Sequence, residues 1–198
     1  MARTGHEAVL VRHGETDWSL SGQHTGTTDI PLTDEGRRQA QLAGERLAGR
    51  KFALVLTSPL GRAQETFRLS GLGEQAQVRE DLREWDYGAY EGMTTKDIRA
   101  QNPGWDLFRD GCPGGEDAAQ VGARADRIVA ELRAAGGDTA VFAHGHILRV
   151  LGARWLELAP AEARRFALST ATVSVLGFEH DWPAVWLWND ASHLGTGV

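Results

Sequence analysis

The hydrophobic and polar residues of this chain follow two alternating patterns. Short runs rich in β-branched and other apolar residues, typical of strands, alternate with longer segments whose apolar residues recur every three or four positions, as on one face of a helix. The last two runs alternate apolar and polar residues, so we expect those strands at an edge of the sheet. The predicted strands are 8–11, 52–59, 78–82, 139–146, 172–180 and 184–190.

Helices are predicted between these runs, and several of their ends carry sequence signals. Thr33 is the predicted N-cap of the first long helix, and Ser58, followed by Pro59 at the first helical position, is the predicted N-cap of the next. Gly136 and Gly137 predict where the longest helix ends. The predicted helices are 34–49, 60–69, 95–100, 116–137 and 147–158.

The regular alternation of strands and helices predicts an α/β fold. We expect a three-layer α/β/α sandwich with a mostly parallel central sheet. No repeat or linker interrupts residues 1–198, and this length suits a single domain that buries about 70% of the surface its unfolded chain would expose. In open sheets of this kind ligands bind outside the carboxyl ends of the strands.

The composition limits the partners of the protein. Its 21 Lys and Arg against 27 Asp and Glu give a net charge of −6, and no basic run is present, so we expect no nucleic-acid binding and a small molecule as partner. Cys112 is the single cysteine, which excludes an internal disulfide and fits a reducing compartment. Without an apolar export or membrane-spanning stretch, a cytoplasmic protein is expected.

Three predicted strands end in polar segments, at 12–14, 57–62 and 143–146, and these should meet at one rim of the sheet. There Arg12 and Arg62 would offer planar cations suited to phosphoryl or carboxylate oxygens. His13 and His144 add two imidazoles, and Gly145 lets the backbone approach a ligand closely. Such a group of cations is best explained by a tetrahedral dianion between them.

A histidine in this position can act as a nucleophile. Neutral imidazole attacks phosphorus near pH 7, and hydrolysis would then proceed through a phosphohistidine. The leaving group needs a proton and the incoming water needs a base, so a carboxyl group should lie nearby. In the stretch DLREWDYGAYEG we favour Glu84, because its aromatic neighbours Trp85 and Tyr87 favour the protonated form.

Five motifs in order resemble those of the histidine phosphatase superfamily, also called the phosphoglycerate mutase-like family. They are RHGETDW, TGTTDIPLTDEGRRQA, SPLGRAQET, LREWDYGAYEG and FAHGH, and they cover residues 9–149. The resemblance implies His13 as the nucleophile, Glu84 as the proton donor, and Arg12, Arg62 and His144 as phosphate-binding groups. It also implies the three-layer α/β/α fold.

Departures from the mutase pattern favour a phosphatase. Ser19 and Gln23 stand where cofactor-dependent mutases usually carry asparagine and arginine, and only about thirty residues separate Glu84 from Glu116, where mutases carry a long insertion. An open site should lose its phosphoryl group to water. The segments WSLSGQHTG and FRDGCPGGED are most similar to sedoheptulose-1,7-bisphosphatase-like enzymes and bacterial acid phosphatases, which implies sugar phosphates as substrates.

Several further residues are candidates for substrate binding. Gln23, Thr25 and Gly26 would contact the phosphate or substrate hydroxyl groups, although such a loop is also ordinary turn chemistry. Arg83 and Arg109 would hold a second phosphate if the substrate is a bisphosphate, and a solvated surface position is the alternative for each. Gly145 and His146 complete the candidates.

A metal site is a competing interpretation of the spacing of His144 and His146, but no third ligand cluster accompanies them and two arginines would oppose a cation. We therefore expect neither metal nor cofactor. Glu116 is explained by capping of the helix that follows it. The Trp-rich segment 182–190 is expected in the core or at a subunit contact, which would allow a homodimer.

Three classes of function therefore stand beside a phosphohistidine-forming phosphatase. A phosphoglycerate mutase would transfer the phosphoryl group with little release of phosphate. A non-catalytic phospholigand-binding module would bind anions without turnover. A metallohydrolase would lose its activity in a chelator.

Overall fold

The computed structural model describes residues 4–73 and 75–195, and these form one mixed sheet with helices on both faces. The strand order is β3-β2-β4-β1-β5-β6, in which β3, β2, β4 and β1 run parallel and β5 and β6 run antiparallel to their neighbours. The predicted α/β class and the mostly parallel sheet are confirmed. The strands are β1 (Thr4–Arg12), β2 (Leu54–Thr57), β3 (Gln77–Val78), β4 (Thr139–Ala143), β5 (Val173–Glu179) and β6 (Trp182–Asp190).

The described helices cover both faces of this sheet. They are α1 (Asp17–Ser21), α2 (Asp34–Arg46), α3 (Gly61–Ser70), α4 (Thr95–Gln101), α5 (Leu107–Asp110), α6 (Ala118–Ala134) and α7 (Gly145–Trp155). Short 3-10 helices occur at Glu80–Leu82, Gly88–Tyr90, Pro160–Arg165 and Ser192–Leu194. None of the helices in the described ranges has the length and apolar character needed to cross a bilayer.

The strand β1 divides the core into two halves. Ala8 and Leu10 belong to the cluster formed with α6 and α7, whereas Val9 and Val11 belong to the cluster formed with α2 and α3. Successive side chains of a strand point to opposite faces of the sheet, so this division places one helical layer on each side of β1. It produces the three layers that the sequence predicts.

One of the two predicted N-caps is confirmed and the other is wrong. The Thr33 hydroxyl oxygen accepts a hydrogen bond from the Gly36 N–H at 2.9 Å at the start of α2. The helix α3, in contrast, begins at Gly61, and its N-cap residue Leu60 makes no side-chain capping bond. Ser58 lies before an extended turn, with its hydroxyl oxygen 2.7 Å from the Nε2 atom of His144.

The prediction of a strand over 78–82 is also wrong in extent. The strand β3 ends at Val78, and a 3-10 helix follows at Glu80–Leu82. Leu82 is buried in the core, and Arg124 of α6 donates to the carbonyl of Asp81 at 2.7 Å. Tertiary contacts with α6 therefore set the conformation of this short segment, and its apolar pattern alone does not reveal them.

The predicted edge position of the last strands is confirmed, whereas the predicted capping role of Glu116 is wrong. The last strands do lie at an edge, because β6 pairs with β5 alone. Glu116 does not cap α6; Asp117 takes that position and accepts from the Gln120 N–H at 2.8 Å. The Glu116 carboxylate instead pairs with Arg124 at 2.8 Å and accepts from the Asp86 N–H at 2.9 Å. It thereby fixes the segment that carries the acidic motif.

The helices α2 and α3 approach closely at Gly44, where a Cβ atom would lie 2.0 Å from the carbonyl oxygen of Ser70. We expect Gly44→Ala to lower the free energy of unfolding by about 1–3 kcal/mol, because the overpacking outweighs the gain in helix propensity. Urea titration gives this value. Gln41→Ala on the exposed side of the same helix is the control and should change it by less than about 0.5 kcal/mol. Unchanged stability of Gly44→Ala would contradict the close approach.

Candidate active site

The carboxyl ends of β1 and β4 and the start of α7 border a cavity of about 180 Å³. Its walls come from β1, from the loop around α1, from the acidic motif and from α7. The lining residues are Arg12, His13, Trp18, Ser19, Gly22, Gln23, His24, Thr25, Glu84, Tyr87, Gly145, His146, Arg149 and Leu168.

Arg12 ends β1 and places its guanidinium against the first residue of α7. Its Nη1 atom donates to the carbonyl of Leu168 at 2.5 Å, and its buried Nε atom has no acceptor among the described residues. A Cβ atom on Gly145 would lie 3.3 Å from the Arg12 Cζ atom, so glycine allows this approach. A buried N–H group without an acceptor destabilises the folded protein, and an anion in the cavity would supply the missing acceptor.

His13 is buried with a defined tautomer. Its Nδ1 atom lies 2.7 Å from the carbonyl oxygen of Gly14, and a carbonyl only accepts, so Nδ1 carries the proton. Burial lowers the pKa of His13 well below its ordinary value, and the charges of Arg12 and Arg62 lower it further, while the Gly14 bond opposes this. The ring is therefore neutral at pH 7, and its Nε2 atom carries a lone pair.

His144 and Arg62 lie behind His13, outside the lining of the cavity. The His13 and His144 ring centroids are 5.2 Å apart. The Arg62 Nε atom donates to His144 Nδ1 at 3.1 Å, so the neutral His144 ring carries its proton on Nε2 and donates to the Ser58 hydroxyl oxygen. Burial lowers the pKa of His144 well below its ordinary value, followed by the charge of Arg62. The two residues form a layer that supports the nucleophile.

Arg62 also holds the loop that borders the cavity. Its Nη1 atom donates to the Thr28 carbonyl at 2.9 Å, and its Nη2 atom donates to the carbonyls of Thr25 and Gly26 at 3.0 and 3.1 Å. Burial lowers the pKa of this arginine. The Asp29 carboxylate is 3.7 Å away and half exposed. The charge of Arg62 is thus held mainly by backbone carbonyls.

Glu84 reaches the N-terminus of α7, where free N–H groups attract an anion. One carboxyl oxygen accepts from the N–H groups of Trp85 and Ile147, and the other accepts from that of His146, each at 2.9 Å. The sequence predicts aromatic neighbours for Glu84. The structure adds three backbone donors, which orient this buried carboxyl group in the lining of the cavity.

Aromatic and imidazole rings lie beside Glu84 in the cavity, where His146 Nδ1 is 3.9 Å from its carboxyl oxygen. The Tyr87 hydroxyl oxygen lies 2.6 Å from His146 Nδ1, and the ring centroids of His24 and Tyr87 are 4.7 Å apart. Burial lowers the pKa of His24 to about 4 and that of His146 well below its ordinary value, and it raises the pKa of Tyr87. These groups are neutral at pH 7 and offer hydrogen bonds without charge.

The predicted substrate-binding residues fall into two groups. Gln23, Thr25, Gly145 and His146 line the cavity. Gly26 does not: its N–H donates to the carboxylate of Glu91 at 2.9 Å, and its carbonyl accepts from Arg62. Gly26 is therefore part of the loop's support, and a contact with substrate is not what the structure provides at this position.

The structure does not bring Arg83 or Arg109 to the cavity. Both are exposed, Arg83 paired with Glu80 and Arg109 paired with Asp110 at 2.7 Å. Their acidic neighbours in the sequence neutralise them on the surface. Arg149, which sequence reasoning missed, lines the cavity instead. Arg149 lies four residues after Gly145, so both residues are on the same face of α7. This spacing could have indicated from the sequence that Arg149 faces the cavity.

Two further interpretations of the sequence can be compared with the structure. Burial raises the pKa of Cys112 to about 12, so this thiol is protonated and unsuited to nucleophilic attack. Within residues 4–73 and 75–195 no group of three or more His, Cys, Asp or Glu side chains is arranged to hold a metal ion. His144 precedes α7 and His146 lies within it, so the two do not share one side of a strand.

Comparison with known proteins places these features in one family. The family model of the histidine phosphatase superfamily (branch 1) matches residues 8–191. A protein named acid phosphatase from Mycobacterium tuberculosis is 45% identical over 184 residues, covering 91% of this chain and 90% of that protein. The sedoheptulose 1,7-bisphosphatase of Saccharomyces cerevisiae is 38% identical over 183 residues, covering 76% and 67%.

A solved structure agrees with these sequence matches. The mycobacterial glucosyl-3-phosphoglycerate phosphatase, in a structure described as a complex with VO3, superposes with a TM-score of 0.85 at 30% identity, covering 94% of this chain and 100% of that chain.

The neutral histidines of the site predict a pH-dependent stability. Because the folded protein binds fewer protons than the unfolded chain below the ordinary pKa of 6.5, the free energy of unfolding should fall as pH decreases from 6.5 to 5. Each such histidine contributes about 1.4 kcal/mol per pH unit. Urea titrations across this range measure the slope of the free energy of unfolding against pH. His24→Gln should reduce this slope by about 1.4 kcal/mol per pH unit, the contribution of one histidine. A slope that the variant leaves unchanged would contradict the neutral state of His24.

Proposed function

We propose that this chain, which belongs to the histidine phosphatase superfamily and is a phosphoric monoester hydrolase, cleaves small phosphorylated metabolites, foremost sugar phosphates, through a phosphohistidine on His13. The observation that carries the proposal is the neutral His13 ring, protonated on Nδ1, in the lining of the same cavity as Arg12 and Glu84. The acid phosphatase and sugar bisphosphatase names of its relatives support the substrate class.

The first step forms a bond between His13 Nε2 and phosphorus and breaks the bond from phosphorus to the ester oxygen. Arg12, whose Nε–H has no acceptor among the described residues, stabilises the equatorial oxygens, and Arg62 behind the ring adds positive potential. Glu84 donates its proton to the leaving oxygen, which departs as an alcohol. The His13 Nδ1–H keeps its bond to Gly14 and orients the ring throughout.

The second step hydrolyses the phosphohistidine. Water attacks phosphorus while the Glu84 carboxylate takes one of its protons, and the bond from phosphorus to Nε2 breaks. Inorganic phosphate leaves, His13 regains its neutral ring and Glu84 regains its proton. Protons and charge balance without a cofactor, so we propose that the reaction needs no metal.

The cavity limits the substrate to small molecules. Its volume of about 180 Å³ lies below the range of roughly 300–1,000 Å³ found for drug-sized ligands. Gln23 and Thr25 on the loop and His146 on α7 line it with polar atoms, which suits the hydroxyl groups of a sugar. We therefore propose free metabolites as the substrates.

A phosphoglycerate mutase would use the same nucleophile and return the phosphoryl group to the substrate. Measuring inorganic phosphate and 2-phosphoglycerate together, with 3-phosphoglycerate as substrate, distinguishes the two. We expect phosphate in excess. Isomer formation that exceeds phosphate release would replace the phosphatase by the mutase, and tight phosphate binding without any turnover would indicate a binding module.

Replacement of the nucleophile should abolish activity. We expect His13→Ala to lower kcat for p-nitrophenyl phosphate by at least about 1,000-fold, because the variant lacks the ring on which the proposed intermediate forms. His6→Ala, on the exposed part of the same strand, is the control and should keep full activity. The wild type should also keep its activity in EDTA. Chelator-resistant activity that survives in His13→Ala would rule out the proposed intermediate.

Replacement of Glu84 should separate the two steps. We expect Glu84→Gln to lower kcat by about 100- to 10,000-fold. Nitrophenolate leaves without help from an acid, whereas water still needs a base, so the variant should accumulate phosphoenzyme with p-nitrophenyl phosphate. Quenched samples with 32P-labelled substrate measure this base-stable, acid-labile species. Equal slowing of both steps would argue against a general base role, and near-UV circular dichroism checks the fold of the variant.

A further inference from the structure

We propose that Arg149 binds a second anionic group on the leaving part of the substrate, so that the enzyme prefers phosphate esters that carry another phosphate or a carboxylate. This inference rests on the proposed function and narrows its substrate class. It assigns to Arg149 the task that the sequence had suggested for Arg83 and Arg109.

The position of Arg149 suits a contact with the leaving group. It lies in the second turn of α7, so its side chain enters the cavity from α7, whereas Arg12 enters from β1. Its guanidinium carbon lies 4.8 Å from the centroid of the Phe108 ring. Such stacking fixes the plane of the guanidinium and leaves its edge for bidentate binding of a planar or tetrahedral anion.

Arg149 carries a charge without a carboxylate partner in the described part of the chain. Its Nε and Nη2 atoms donate to the carbonyls of Ala163 and Arg164, both at 3.3 Å, beyond the usual range of N–H···O bonds. Arg154 on the same helix, by contrast, pairs with Asp126 at 2.7 Å. These long bonds to carbonyls leave the Arg149 guanidinium without a close partner. Burial lowers its pKa from the ordinary value, and the charge of Glu84 opposes this.

With Glu84 protonated, as the first step requires, the three arginines at the cavity carry one positive charge more than a single phosphoryl dianion balances. Arg12 and Arg149 are the lining cations, with Arg62 behind, and Glu84 is the single carboxyl group among the described lining residues. Arg12 and Arg62 balance the two negative charges of the scissile phosphoryl group, which His13 attacks. Since partly buried cations are normally paired, the remaining cation is best explained by a second anionic group in the substrate.

The matched substrates are fructose 1-phosphate and fructose 1,6-bisphosphate, which share the scissile phosphate at C1 and differ by one phosphate. Release of fructose 6-phosphate isolates cleavage at C1 of the bisphosphate. We expect the wild type to have a kcat/KM ratio of about 10 to 100 in favour of the bisphosphate, the value of a charge-assisted contact. In Arg149→Met, which keeps an unbranched side chain and removes the charge, the ratio should fall to about 1, mainly through KM.

A second pair, 3-phosphoglycerate against glycerol 3-phosphate, tests a carboxylate in the same way. Loss of preference in the first pair assigns the site to phosphate, and loss in the second pair assigns it to carboxylate. Arg154→Met on the same helix is the matched control and should preserve both ratios. Arg149→Lys keeps the charge without the bidentate fork and should retain an intermediate ratio.

The outcomes separate this inference from the proposed function. Wild-type ratios near 1 for both pairs, or ratios that Arg149→Met leaves unchanged because it slows all substrates equally, would overturn the role of Arg149 and leave the His13 mechanism intact. Failure of the proposed function is read independently, from p-nitrophenyl phosphate hydrolysis that does not depend on His13.

Discussion

The site depends on guanidinium groups that are held mainly by backbone carbonyls. Arg12 donates to Leu168, and Arg62 donates to three carbonyls of the loop at 25–28. A carboxylate partner would have neutralised each cation, whereas a carbonyl fixes its position and leaves its charge in place. That charge, added to burial, keeps the imidazoles of His13 and His144 neutral, which leaves the Nε2 lone pair of His13 available as a nucleophile. The same charge makes an anion the natural occupant of the cavity.

The sheet register brings these groups together. Arg12 pairs with Ala143 in the parallel ladder of β1 and β4, and the His13 N–H donates to the Ala143 carbonyl, so the residues after both strands emerge side by side. His144 then begins α7, whose N-terminus receives Glu84. One strand end and one helix start thus position the nucleophile and the acid. Glu84 is carried on the segment between two 3-10 helices, and its bonds to the helix start fix the carboxyl group there.

Much of this could be predicted from the sequence, because strand ends rich in Arg, His and Gly are local patterns. The structure brings Arg12, His13 and Glu84 to one cavity and sets Arg62 and His144 behind them. What could not be predicted depends on distant contacts. Ser58 lies two residues before the N-cap Leu60, and its hydroxyl oxygen accepts from the Leu60 N–H and from His144, so it does not cap α3. Acidic residues close in sequence could have shown which arginines are paired on the surface and which are free to line the cavity. Arg83 and Arg109 have acidic neighbours that neutralise them, whereas the residues around Arg149 are apolar or basic.

Arg62 contacts both a histidine of the catalytic group and the loop that borders the substrate cavity. Arg62 supports His144 on one side and the loop containing Thr25 on the other, and Thr25 lines the cavity where the leaving group would lie. The loop is therefore fixed before substrate arrives, and the dipoles around the phosphoryl group need no reorganisation during the reaction. Preorganisation of this kind requires that hydrogen bonds fix the position of the guanidinium group while its positive charge is not neutralised. Backbone carbonyls meet both conditions, which explains why the two buried arginines lack close carboxylate partners while the exposed arginines of this chain are mostly ion-paired.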